Sequence, residues 1–229
     1  MEDTSKLNTS KLGTKKYWDD FYTVEKSNFE ENPEDTGECW FDDSNAEDRM
    51  IEFLQDHLGE YSIAQDASMI DLGTGNGHLL FQLHEEGFRG KMVGVDYSEK
   101  SIEFAREIMN SRFEEDSSLE FSAADIFDPS WDISQFDVVL DKGTLDAIAL
   151  SGLTSPNGKP ITSAYPKVVE KLMKKNSVFL ITSCNFTETE LKKMIESPVL
   201  QAWETIQYPA FKFGGQVGSA ICSIAFVKK

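Results

Sequence analysis

The sequence predicts an α/β fold: a mostly parallel sheet covered by helices, with an N-terminal helical extension and an antiparallel C-terminal hairpin. Three observations carry this. An apolar run ending in Met69-Ile70-Asp71 passes into Leu72-Gly73-Thr74-Gly75-Asn76-Gly77 and then into helix-forming His78–Leu83. A strand, a glycine turn and a helix in that order make a nucleotide-type crevice. From residue 68 onward, short apolar runs alternate with helix-period segments, as βαβ units do. The chain closes with two strand-like runs, 202–208 and 219–227, joined by a loop too short for parallel pairing.

The elements follow in order. Residues 1–12 are mostly polar and read as a disordered tail. Residues 13–60 read as a helical cap. Its first helix puts Tyr17, Trp18, Phe21 and Tyr22 on one face. An acidic loop then ends in Gly37-Glu38-Cys39-Trp40-Phe41, and a second helix spans 45–59 with Met50, Phe53, Leu54 and Leu58 inward. Residues 61–229 form the core. Its strands are expected at 68–71, 91–96, 119–123, 136–140 and 177–182, followed by the closing hairpin. Helices are expected at 77–86 with Gly87 as a C-cap, at 98–112, and around Tyr165, Val168, Val169, Leu172 and Met173. Thr187 and Glu190 have capping-box spacing. The last loop holds Phe211, Phe213, Gly214 and Gly215.

The glycine spacing narrows the ligand. His78 follows Gly77 where a dinucleotide fold would spend its third glycine, and no Lys-Ser/Thr follows as in a P-loop. The remaining pattern, D-x-G-x-G-x-G, resembles the cofactor loop of class I S-adenosylmethionine methyltransferases. The methionine part of that cofactor carries an ammonium and a sulfonium, which call for carboxylates such as Asp71. Carboxylates stand at or just past four strand ends: Asp71, Asp96, Asp125 and Asp141. Ligands of open α/β sheets bind at those ends. Four acids on one rim repel one another unless a cation or hydroxyl donors lie among them. Asp96 is spaced to take a ribose diol, with Tyr97 beside it. Asp125 is placed for an adenine amine, with Ile126 against the ring face.

Composition excludes several classes. The formal net charge is −18, which disfavours a nucleic-acid partner. No apolar run is long enough to span a bilayer. Cys39, Cys184 and Cys222 are too dispersed for a disulfide framework or a zinc site, and His57, His78 and His84 lack ligand spacing, so no metal is expected. A monomeric cytoplasmic enzyme is the expectation. The acidity reads either as a solubility feature or as steering toward a basic partner.

The fourth strand end reads Asp141-Lys142-Gly143-Thr144-Leu145-Asp146-Ala147-Ile148, with no Asn/Asp-Pro-Pro-Tyr element of nucleic-acid amino methyltransferases. Together with Gly37–Phe41, the Asp71–Gly77 loop and Ser183-Cys184-Asn185-Phe186, it resembles one family. That family is the eukaryotic seven-strand protein-lysine methyltransferases acting on translation elongation factor 1-alpha; the likeness is strongest to its fungal branch, also linked to secretion and early endocytosis. The resemblance covers nearly the whole chain after about residue 10. It implies a Rossmann-like, seven-strand class I methyltransferase sheet and S-adenosylmethionine as cofactor. It also implies a basic protein substrate, translation elongation factor 1-alpha. Cofactor-binding residues expected on this reading are Trp40, Asp71, Gly73, Gly75, Asn76, Gly77, Asp96, Tyr97, Asp125, Ile126 and Asp141. Asp141 is also the candidate catalytic residue, orienting the cofactor or the incoming amine. Tyr17, Trp18, Trp40 and Phe213 are candidates for an acceptor channel. Two alternatives stand: a small-molecule methyltransferase on the same scaffold, and a non-catalytic transport adaptor. The 151–160 loop matches no motif.

Overall fold

The computed structural model describes residues 8–113, 118–209 and 220–229, and the backbone of 211–213 and 216–218. Two helices come first, α1 Lys15–Glu31 and α2 Ala46–Asp56. The alternating part follows: β1 Met69–Leu72, α3 His78–Glu85, β2 Met92–Asp96, α4 Glu99–Arg112, β3 Leu119–Ala123, β4 Phe136–Lys142 and α5 Thr144–Leu150. Then come α6 Tyr165–Leu172, β5 Met173–Ser183, α7 Glu188–Ile195, β6 Leu200–Ile206, β7 Phe211–Phe213, β8 Gln216–Gly218 and β9 Cys222–Lys228. None of the described helices is long and apolar enough to cross a membrane.

Seven strands form one sheet in the order β3-β2-β1-β4-β5-β9-β6. The pairs among β1 to β5 are parallel; β9 runs antiparallel between β5 and β6. The expected single antiparallel strand is therefore present. β1 and β2 are buried throughout, because helices cover both faces. Side chains alternate between two apolar layers. Met69, Met92 and Leu140 face α1 to α4, with Met50, Leu54, Leu80 and Phe104. Ile70, Val93, Val95 and Val139 face α5 to α7, with Leu145, Val169 and Leu191. The N-terminal helices share the first layer through Tyr22, Phe29, Met50 and Leu54.

Local signals explain most boundaries. The Thr14 hydroxyl caps α1, and the reciprocal Thr187–Glu190 box opens α7. Gly87 takes φ +97 just past α3.

Three expectations change. Residues 8–12 are not a loose tail: the Ser10 N–H donates to the Leu150 carbonyl at 3.0 Å, and the Trp18 indole donates to the Leu12 carbonyl at 2.7 Å. β5 begins at Met173, four residues before the expected 177. Its pairing with β4 shifts between Phe136 and Val138. Polar Lys174-Lys175-Asn176 hid this start; Lys174 is held there by Asp137 at 2.8 Å. Finally, 211–213 and 216–218 pair as a small antiparallel ribbon where a plain loop was expected. Gly214, Gly215 and the Phe213 side chain lie outside the described residues.

Candidate active site

The glycine loop is a backbone cradle. Gly73, Gly75 and Gly77 take φ of +68, +57 and +83. Such angles suit glycine and strain other residues. A Cβ on Gly73 would meet the Thr144 hydroxyl at 2.1 Å, and one on Gly75 the Tyr22 hydroxyl at 2.4 Å. One on Gly77 would meet the Phe121 ring at 2.8 Å. α1 therefore lies directly over the loop. Asp19 strengthens that contact by accepting the Ser98 hydroxyl at 2.6 Å. Asn76 points elsewhere: its amide donates to the carbonyls of Thr36 at 2.8 Å and Glu38 at 3.4 Å. Its side chain is committed to the 36–38 segment, leaving its backbone for a ligand.

Strand alternation sorts the four carboxylates. Asp71 and Asp96 stand in register with Met69 and Met92, on the face toward α1 to α4. Asp71 is 3% exposed and Asp96 7%. Asp96 accepts the Gly75 N–H at 3.1 Å and the Ser98 N–H at 2.8 Å, so it shapes the loop it was expected to serve. Burial pushes Asp71 up to about 7 and Asp96 up to about 6. Tyr97, 38% exposed, follows at the rim, its hydroxyl raised by burial, Asp96 and Asp19. Asp125 is exposed just past β3 and accepts the Phe127 N–H at 2.9 Å. The neighbouring Ala124 N–H bonds the Asp96 carbonyl at 2.8 Å, which keeps this turn on the same rim. Ile126 is half-buried and packs against the second apolar layer.

Asp141 is a correction. It shares its strand face with Val139, toward α5 and α6, and is 0% exposed. Its oxygens accept the Thr144 N–H at 2.8 Å, the Leu145 N–H at 3.1 Å and the Tyr165 hydroxyl. Burial pushes its carboxyl up to about 8. It holds the start of α5 in place and offers no surface to a cofactor or an amine.

The neighbouring residue faces the other way. The Lys142 ammonium donates to the Trp40 carbonyl at 3.0 Å and pairs with Glu47 at 3.2 Å. The other Glu47 oxygen meets the His78 ring at 2.5 Å. Burial alone would raise the Glu47 carboxyl, but His78 and Lys142 hold it below the usual range. Cys39 and Glu47 push His78 up to about 10. Cys39, Glu47 and His78 bring ligand atoms within 4.8 Å of one another, the one such grouping among the described residues. The Lys142 ammonium stands 3.7 Å from the Cys39 sulfur and already neutralises Glu47, so a dication would meet that positive neighbour and would have to displace the proton His78 holds.

The motif segments converge physically. Asp146, 4% exposed, accepts the Ser183 hydroxyl at 2.6 Å, the Cys184 N–H at 2.9 Å and the Asn185 N–H at 3.2 Å. It thereby fixes the turn after β5 against α5. Trp40 packs edge-on to Trp18, ring centroids 5.1 Å apart, and Tyr17 lies 5.2 Å from Trp18. These three of the four expected channel aromatics are contiguous. Sequence reading missed Glu47, Lys142 and Asp146. A signal existed for Glu47: with Met50 and Leu54 it sits at i, i+3 and i+7 on the buried stripe of α2.

This donor set fits S-adenosylmethionine. The glycine backbone admits a close ligand, and Asp71 and Asp96 offer buried carboxylates to an ammonium and a ribose diol. The Trp40 indole nitrogen is buried with no hydrogen-bond partner, a donor beside the cradle. A cationic ligand favours the ionised carboxylates. Binding should therefore expel protons that Asp71 and Asp96 retain near pH 6. Cofactor affinity is expected to be roughly tenfold to a hundredfold weaker at pH 5.5 than at pH 8. Calorimetric titration in buffers of different ionisation enthalpy measures both affinity and proton release; a flat profile would remove the two carboxylates from the site.

Comparison with known proteins shows the family. The methyltransferase domain family matches residues 63–215. The chain is 54% identical over 229 residues to protein-lysine N-methyltransferase EFM4 of Saccharomyces cerevisiae, covering 100% of both chains. It is 36% identical over 219 residues to EEF1A lysine methyltransferase 2 of Homo sapiens, covering 96% of this chain and 87% of that one. Among solved structures, a magnesium protoporphyrin IX methyltransferase from Synechocystis with bound SAM superposes with a TM-score of 0.58 at 15% identity, covering 91% of this chain and 97% of that one. The last likeness shows the fold. The full-length identities show more: this chain belongs to the family of seven-strand protein-lysine N-methyltransferases.

Proposed function

We propose that the protein transfers the methyl group of S-adenosylmethionine to a lysine of translation elongation factor 1-alpha, acting as a monomer in the cytoplasm. The observation that carries this is the buried cradle of Gly73, Gly75, Asp71 and Asp96 on a chain matching lysine methyltransferases end to end. Gly75 with its N–H held by Asp96, Gly77, Tyr97 and Asp125 complete the cofactor rim. The cofactor supplies an electrophilic methyl group on a sulfonium.

What remains for the chain is to deliver a neutral amine. A free lysine, pKa about 10.4, is neutral in roughly one part in a few thousand at pH 7, a cost of about 4–5 kcal/mol. An approach lined by Trp40, Trp18 and Tyr17 lowers that cost, because a desolvated aromatic wall disfavours the ammonium. The enclosure of Asp141 removes a difficulty: an open carboxylate there would have favoured the charged amine. Transfer then depends chiefly on alignment.

The acidity is concentrated. Residues 19–60 carry fifteen Asp or Glu against two Lys or Arg, a net −13 of the total −18. This segment includes most of α1, which lies over Gly75, and residues 36–41, whose Trp40 carbonyl accepts from Lys142. A basic substrate would be drawn to that border. Exposed charges are screened beyond about 8–10 Å at physiological salt. Accordingly kcat/KM for the protein substrate should fall as salt rises, by about tenfold between 50 and 300 mM, while cofactor affinity changes little. A short peptide with the target lysine alone should show a shallow slope; coincident slopes would reduce the charge to a solubility feature. The function itself is tested with labelled cofactor, purified elongation factor and mass spectrometry of the modified lysine. Label confined to small molecules would favour the small-molecule alternative, and cofactor binding without turnover the adaptor.

A further inference from the structure

The segment 36–41 crosses between the two halves of the site and is fastened to both. At the cofactor half, Asn76 donates to the Thr36 carbonyl at 2.8 Å. Glu25 of α1 accepts the Glu38 N–H at 2.8 Å. At the acceptor half, Lys142 at the end of β4 donates to the Trp40 carbonyl at 3.0 Å. The Lys142 side chain is only 12% exposed and its partner Glu47 7%. Phe41 takes a left-handed φ of +67, and its ring lies 3.0 Å from where a Cβ on Gly143 would stand. The strap and the β4 turn are therefore fitted to each other. Trp40 sits at the crossing, its ring on Trp18.

Resting on the methyltransferase reading, we propose that Lys142 is a positioning residue: its ammonium closes the 36–41 strap over the β4 end and so sets the aromatic wall along which the acceptor lysine approaches. Nothing else among the described side-chain bonds ties the Trp40 main chain to the sheet. Without that ammonium the strap keeps its bonds to Asn76 and Glu25, the Ala46 N–H on the Phe41 carbonyl at 3.2 Å and the Cys39 thiol on Glu47 at 3.5 Å, but the Trp40 carbonyl loses its one hydrogen bond to the β4 end and the indole can shift. Misplacement by about 1 Å is enough to cost about a hundredfold in rate. The cofactor cradle is built from β1, β2 and α1 and makes no hydrogen bond to Lys142, whose charge reaches it only through space, holding down the Asp71 carboxyl that burial raises.

The test uses the full chain with Lys142→Met and Lys142→Arg. The methionine keeps the aliphatic stem, and Glu47 keeps its bond to His78 at 2.5 Å, so no buried carboxylate is stranded. With Lys142→Met, kcat on the elongation factor should fall about tenfold to a hundredfold, while cofactor Kd, which senses the Trp40 indole and the charge near Asp71, rises by clearly less than that. Lys142→Arg, which can still donate, should recover most of that loss. Amide exchange should quicken within 36–41 and not in α3 or α4. Unchanged kcat with Lys142→Met, or a parallel loss of kcat, cofactor affinity and thermal stability, would overturn the proposal. Should the wild-type protein modify no protein, the exchange result still decides: an unaltered strap in Lys142→Met refutes the anchoring, separately from the function.

Discussion

Gly75→Arg is expected to abolish measurable binding of S-adenosylmethionine, a loss of at least about a hundredfold, or about 2.7 kcal/mol. Two effects combine. The φ of +57 strains any residue with a Cβ, and that Cβ would lie 2.4 Å from the Tyr22 hydroxyl. The guanidinium must then either fill the cradle or lift α1 from the loop. Gly75→Ala, which introduces only the first of these groups, should give a partial loss. Calorimetry measures both variants, and circular dichroism checks the fold. Near-normal affinity in the arginine variant would remove the loop from the cofactor site.

Asp141→Ala is expected to destabilise the protein by about 3–5 kcal/mol, because it strands two buried N–H groups and one hydroxyl. The folded fraction should keep most of its kcat. The pH dependence gives a second readout. The carboxyl stands near 8 in the folded protein and near 3.9 in the unfolded chain. Between those values the folded state holds the extra proton, so this group's contribution is full below about pH 4 and is lost as pH rises toward 8. Asp141→Asn, which cannot titrate, should flatten that part of the profile. Thermal melts from pH 5 to 8 test this. A collapsed kcat with an unchanged melting temperature would return Asp141 to the reacting centre.

The glycine loop was legible because its chemistry is local: spacing alone states that a backbone must come close to something. The succession of strands and helices along the chain and the capping box were legible for the same reason. Asp141 was misread because a carboxylate at a strand end says nothing of which face it takes. The alternation Val139, Asp141 against Leu140, Lys142 held the answer, since Leu140 and Asp71 share the cofactor face. The Glu47–Lys142 pair joins residues far apart in the chain, and only tertiary packing makes it. The 173–176 start of β5 was hidden by polar residues whose partners, such as Asp137, come from another strand.

The insertion of β9 between β5 and β6 imposes an order on folding. β6 is made first, yet β9 is its one partner in the sheet. Until residues 222–228 arrive, β5 presents a bare parallel-sheet edge and β6 has nothing to pair with. Closing this contact spans many residues and is slow compared with helix formation. A nascent chain stalled before residue 222 would thus hold a formed cofactor crevice beside an open, sticky strand edge. Such a species would be a target for chaperones, and substitutions in β9 should act on yield and refolding rate before they act on catalysis.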